Sequence, residues 1–220
     1  MTSAGRARET AGPRMRLGLL GPADGNVDDL ARAAELLVGE LKVDRAIYLG
    51  ADSALDDMVA AWAKQIVGDD PSDDAAWRRA AEVAIDGTSL EIDEFITRER
   101  ARQRLRVLEG LPKGGIARTI EMIGDRVAVL VHDKGLLDEE DIFAASLLIY
   151  GRSPEPLVKR IGARWFVTPG SAGVLGGGAA VLDDDAEEIV ASVYGPDGTC
   201  TMKETIAIQR ATKMKIQGGA

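Results

Sequence analysis

Residues 15–50 constrain the fold more than any other part of the chain. Met15-Arg-Leu-Gly-Leu-Leu-Gly21 is a short apolar run closed by glycine, the pattern of a buried strand. Asn26 can cap a following helix, and Asp28 and Asp29 fall in its first turn, where the helix dipole favours acids. Leu30, Ala33, Ala34, Leu37 and Leu41 then recur at helical spacing, and Arg45-Ala-Ile-Tyr-Leu-Gly50 gives a second apolar run. Strand, helix and strand in this order predict a parallel pair joined by a right-handed crossover.

Three helices are predicted next. The first covers about 54–67, with Leu55, Met58, Val59, Trp62 and Ile66 on one face. The second starts after Pro71-Ser72 and carries Trp77, Ala80, Ala81 and Ala84. The third runs from about Ser89 to Leu108, with Leu90, Ile92, Phe95, Ile96, Leu105 and Leu108 as inner positions. Beyond Leu111-Pro112 the pattern turns to strands, at 116–123, 126–132, 146–150, 164–168, 178–183 and 187–194. A final segment, 200–217, can hold one or two more. Turn signals separate the runs, and Gly176-Gly-Gly178 reads as a flexible connection, since no Lys-Ser/Thr follows it to make a phosphate loop. The fold class is α/β: two mixed sheets packed together and flanked by helices, a four-layer αββα sandwich in one domain.

Composition removes several functions. Only 4% of residues are aromatic, so aliphatic side chains and alanine must fill the core. The net charge of -9 argues against coating nucleic acid. Both ends run against that charge: Arg6, Arg8, Arg14 and Arg16 face only Glu9, and Lys203, Arg210, Lys213 and Lys215 face only Glu204. Basic ends on an acidic body favour self-association or are simply solvated termini. Cys200 is the only cysteine, so no intrachain disulfide forms and a cytoplasmic setting is expected; the residue is read as a small buried or half-buried side chain. No apolar run is long enough for a membrane span, and residues 1–14 lack the apolar stretch of a secretory signal. They are read as a disordered leader, with the domain at 15–200 and a strand or basic tail at 201–220.

The opening strand, its Gly25-Asn26 loop and the later turns resemble the calcineurin-like metallophosphoesterases, in particular the small bacterial phosphodiesterases, over residues 15–200. The resemblance implies two divalent metals that activate water and clamp phosphate oxygens in an in-line displacement. Such a pair of cations needs several anionic or imidazole ligands. Where the family carries Asp-x-His, this chain has Pro22, Ala23 and Asp24. The bridging aspartate falls on Ala51, with Asp52 adjacent. The Gly-Asn motif is aligned with Gly87-Thr88-Ser89-Leu90. One histidine survives as His132, and Gly-His-x-His becomes Gly151-Arg152-Ser153-Pro154. The late turn persists as Thr168-Pro169-Gly170-Ser171.

The frame thus outlasts its ligands, and the expected function is a non-catalytic protein-binding or scaffolding module without cofactor, as in the retromer scaffold subunit that this fold resembles. Its partner is another protein or a second copy. A small anionic ligand in a remnant pocket of Asp24, Asn26, Asp52, His132, Asp133 and Arg152 is a lesser option, and membranes and nucleic acid are not expected partners. His132 is either a lone ligand or proton-transfer residue, or an imidazole hydrogen-bonded in a polar loop. Arg152 brings a fixed charge that can pair with Asp24, Asp52 or Asp133, or hold a phosphate. Arg98, Arg102 and Arg106 fall at i, i+4, i+8 and form a basic stripe for an acidic partner, or a solvated face balanced by nearby acids. The rival expectation is a divergent phosphodiesterase with a displaced divalent-metal site built from Asp24, Asp52, Asp56, His132 and Asp133. A weaker one is a phosphate sensor that uses Arg152.

Overall fold

A computed structural model describes residues 15–114, 117–185 and 188–207. The leader 1–14 and the basic tail beyond Ala207 lie outside the described residues. The first strand, β1 (Met15–Leu20), leads into α1 (Val27–Glu35), which widens into a π-helical turn over Leu36–Glu40. The Asn26 side chain caps α1 by accepting from the Asp29 amide at 3.2 Å. β2 (Arg45–Tyr48) then pairs parallel to β1, with Leu19 opposite Ile47, as the strand–helix–strand pattern predicts.

α2 (Ala54–Val67), α3 (Asp73–Asp86) and α4 (Ser89–Arg104) follow before the chain returns to the sheet. Two expectations fail here. The expected third helix ends at Arg104, and Leu108 opens a short strand, β3 (Leu108–Gly110), parallel to β2. The apolar face expected on α4 is also turned out, with Leu90 68% and Ile96 37% exposed. On α3, Trp77 is 76% exposed, while Ala75 is buried and Arg79 faces Glu99 of α4. The α3–α4 contact is made largely by ion pairs, so apolar spacing does not point to it.

The second half alternates strands with tight turns. β4 (Arg118–Ile123), β5 (Arg126–Val131) and α5 (Glu139–Ala144) precede β6 (Leu147–Tyr150), β7 (Leu157–Ile161) and β8 (Arg164–Thr168). β9 (Ala179–Asp185), β10 (Glu188–Tyr194) and β11 (Cys200–Ala207) complete the described chain. One sheet has the order β11-β10-β9-β1-β2-β3, the other β4-β5-β6-β8-β7, and both are mixed. Cys200 is exposed at the start of β11 rather than buried.

Leu17, Leu19, Leu130, Leu147 and Ile149, all fully buried, meet between the sheets in an aliphatic core with no tyrosine or phenylalanine among its fully packed members. A second cluster lies under α1 and α2, and a smaller one, around Val129 and Leu148, lies on the far face of the second sheet. That far face has only the six-residue α5 and a single 3-10 turn at Lys134–Leu136 over it among the described residues, so the fourth layer is thin. Truncating a fully buried leucine such as Leu19 to alanine costs about 2–5 kcal/mol. No helix among the described residues is long and apolar enough to cross a membrane.

Candidate functional site

The carboxyl ends of β1, β2, β3, β5, β6 and β8 carry the loops in which an α/β sheet places its ligands. Those loops lock onto one another through backbone groups. The Leu49 amide donates to Leu20 O at 2.9 Å, Gly21 N to Gly178 O at 2.9 Å and Ala172 N to Pro22 O at 2.7 Å. Approach is close enough to demand glycine at several points. A Cβ on Gly21 would lie 1.8 Å from Gly170 O, and one on Gly151 would lie 2.4 Å from Leu49 O. Gly176–Gly178 belongs to this packing rather than to a flexible link, since a Cβ on Gly177 would lie 2.4 Å from Pro169 O.

His132 is held by the same frame. Its Nδ1 lies 2.8 Å from Leu49 O, and because a carbonyl only accepts, Nδ1 carries the proton. The Arg152 amide donates to His132 O at 2.7 Å, which ties the β6 loop to the β5 loop. The Arg152 guanidinium turns to Asp133, Nη1 to Oδ2 at 3.1 Å. The Gly135 amide, 2.9 Å from Asp133 Oδ1, and then Arg152 hold the Asp133 carboxyl below the usual carboxylate range. Of the three acids open to Arg152 in the sequence, the structure therefore selects Asp133. Asn26 is spent within its own helix, on Asp29, and Asp24 takes a left-handed backbone conformation with φ 47°.

A tyrosine that the sequence reading passed over organises the other side of the rim. Tyr48 is 1% exposed, and its hydroxyl accepts from the Ala23 amide at 2.9 Å and donates to Asp52 Oδ1 at 2.7 Å. Burial is the main cause that raises its phenol above the ordinary range, with the Asp52 hydrogen bond and charge adding to it. Gly50 makes room for it: a Cβ there would lie 2.2 Å from the Tyr48 ring. The signal was a lone polar-tipped residue in an apolar strand two positions before a glycine.

Beside Tyr48 lies a cavity of about 270 Å³ between the ends of β2 and β3, lined among others by Asp52, Asp56, Leu111, Pro112 and Lys113. Lys113 forms an ion pair with Asp56, which raises its own pKa. The third parallel strand therefore delivers Leu111-Pro112-Lys113 to the rim. Gly87-Thr88 is instead a helix junction: Thr88 caps α4 in a reciprocal box with Glu91. The alignment of the family's Gly-Asn motif with Gly87-Thr88 is corrected accordingly.

The expected basic stripe does not form one exposed face. Arg102 is 8% exposed and bonds Glu99 at 2.7 Å, Pro71 O at 2.9 Å and Asp73 at 3.0 Å. Arg106 pairs with the same Asp73, and Arg98 lies 3.5 Å from Glu94.

No family model matches the chain, and no curated protein matches it. Solved structures do. A predicted phosphoesterase from Streptococcus pneumoniae aligns with 90% of this chain and 100% of its own, with TM-score 0.50 and 12% identity. Vacuolar Protein Sorting 29 from Cryptosporidium parvum aligns over 89% of this chain and 99% of its own, with TM-score 0.47 and 13% identity. Vps29 from Entamoeba histolytica complexed with zinc gives 88% and 99%, with TM-score 0.44 and 14% identity. The fold is that of the calcineurin-like metallophosphoesterases. The donor set does not fit that fold's paired metals. Among the described residues no three His, Cys, Asp or Glu side chains converge on a point where an ion could sit. Asp24, Asp52, Asp56, His132 and Asp133 stand around one rim, but Asp56 and Asp133 face cations of the chain itself.

Proposed function

We propose that this chain is a protein-binding or scaffolding module on a metallophosphoesterase fold and performs no phosphoester chemistry. One observation carries the reading: Lys113 and Arg152 present fixed cations to Asp56 and Asp133. A two-metal centre would need such carboxylates as ligands, and a tethered ammonium or guanidinium neutralises them while providing no vacant coordination position for water. Pro22 and Ala51 bring no donor side chain to the same rim. Rigid loops around a neutralised centre suit a surface that is recognised rather than one that turns over substrate. An anion gains little in the cavity beside Tyr48, where Asp52 and Asp56 face Lys113 alone. The partner is another protein or a second copy of the chain.

The test is direct. The full chain is purified with added Mn²⁺, its bound metal is measured, and bis(p-nitrophenyl) phosphate is offered with and without the metal. Substoichiometric manganese and no metal-dependent release of nitrophenol are expected. Stoichiometric manganese with turnover that a chelator abolishes would overturn the reading in favour of a displaced-site phosphodiesterase.

A further inference from the structure

Between α3 and α4 runs a groove of about 330 Å³, lined among others by Ala76, Trp77, Ala80, Phe95 and Gln103. Its walls continue as apolar stripes. On α4, Ile92, Ile96, Glu99 and Gln103 recur at i, i+4, i+7 and i+11, and the last two line the groove. The two isoleucines therefore stand on the groove side of the helix, each 37% exposed. On α3, Trp77, Ala80 and Ala84 recur at i, i+3 and i+7, and Trp77 is 76% exposed. A bulky indole thus stands beside alanines on one face, a knob next to a recess.

Charge decides what such a face meets. The first half of α4 carries Glu91, Asp93 and Glu94, and the second half carries Arg98, Arg100, Arg102 and Arg104 against Glu99. Acids early and bases late suit the helix dipole. Several of them are also spent within the chain: Glu91 on Thr88, Glu94 and Arg98 on each other, Arg102 on Glu99 and Asp73. Asp93 and Arg100 are not. They flank Ile96 at i-3 and i+4 and have no partner among the described residues.

A second copy laid antiparallel over the first, with the two-fold axis at Ile96, sets Asp93 of each copy against Arg100 of the other. The Arg79–Glu99 and Arg102–Asp73 ion pairs fix the level of α3 beside α4, and at that level the axis crosses α3 near Ala80 and Ala81. Trp77 of each copy then comes over Ala84 of the other, where the side chain is small enough to receive an indole. One operation gives both matches, whereas an unrelated partner has to supply each separately. An anionic membrane is repelled by Asp73 and Glu99 in the groove wall. The face is the length of α4, about 24 Å, and two helices, about 20 Å, wide. Two such faces bury about 1,000 Å², the lower limit for a specific interface, so the association is reversible on dilution.

We propose that this face of the α3–α4 hairpin is an isologous interface with a second copy of the chain, closing an antiparallel four-helix bundle. The proposal deepens the protein-binding reading above by naming the partner, and rests on it.

Sedimentation velocity of the full chain, over a series from micromolar to submillimolar, should show a reversible monomer–dimer equilibrium. Trp77→Asp should weaken it by about tenfold or more, a loss of roughly 1.4 kcal/mol. Leu175→Asp, at an exposed side chain in the β8–β9 loop, should leave it unchanged. Asp93→Arg alone and Arg100→Asp alone should each weaken it comparably, because each sets like charges face to face twice. Mixed in equal amounts, these two variants should regain the association, since every such contact in the mixed dimer joins opposite charges. A contact made elsewhere on the molecule gives no such recovery. Circular dichroism verifies that each variant is folded. A full chain that stays monomeric, a Trp77→Asp variant that associates like the unaltered chain, or a mixture that recovers nothing would overturn the proposal. A chain that dimerises through this face yet hydrolyses phosphodiester keeps the interface and loses the non-catalytic reading. A chain that does neither keeps that reading and loses the interface.

Discussion

Tyr48 shows what a single side chain does at this rim. Its hydroxyl is the acceptor for the Ala23 amide, in the loop where a metallophosphoesterase would carry its first ligands, and the donor to Asp52. Phenylalanine keeps the ring packed beneath Gly50 but leaves a buried amide without a partner, at a cost of about 1–3 kcal/mol. Urea unfolding of Tyr48→Phe should show a lower midpoint with an unchanged slope, and an unchanged midpoint would remove the hydroxyl's structural role. The backbone frame around this site was legible in the sequence, because glycines and a proline mark close approaches: Gly21, Gly50, Gly151 and Pro169 all sit at such contacts. The side chains that fill it were less so. Tyr48 read as one more apolar strand residue, and Arg152 offered three possible acids until the β5 loop brought Asp133 within 3.1 Å.

Among the elements, those with strong local chemistry were read best. α2 spans 54–67 as expected because it carries one unbroken apolar face, with Leu55 and Met58 buried against the sheet. β3 has three residues and α5 six, too few for a period to show. β7 was missed because Lys159 and Arg160 put charge on both of its faces. The inner positions expected on α4 did not hold because what joins it to α3 is a network in which Glu99 accepts from Arg79 at 2.6 Å and from Arg102 at 2.7 Å. Burial opposes the ionised Glu99, and the two guanidinium bonds outweigh it, so its carboxyl is held below the ordinary range. Removing the buried cation therefore leaves Glu99 Oε2 without its partner and only Arg79 to balance a half-buried acid. Arg102→Ala should destabilise the chain by about 2–3 kcal/mol, at or below the lower end for broken buried pairs because Asp73 is half exposed. Glu99→Gln placed on Arg102→Ala should restore part of that loss in a double-mutant cycle. Strictly additive losses would mean that the network does not hold the hairpin.

For the whole molecule, the pattern of paired charges sets how stability depends on pH. Several acids are held below their ordinary pKa: Asp73 by Arg106 and then Arg102, Asp133 by the Gly135 amide and then Arg152, and Asp138 chiefly by the Asp141 amide. Each binds protons more weakly folded than unfolded. Its contribution is therefore complete above the unfolded carboxylate value, about 3.9 for aspartate, and is lost as pH falls through the folded one. The same protonation strips the body of its negative charge and leaves the basic residues, 27 in the chain, to repel one another. The urea midpoint should accordingly hold steady from about pH 8 to 5 and fall steeply below about pH 4. A midpoint that stays level down to about pH 3 would show that these carboxylate pairs do not govern the acid stability.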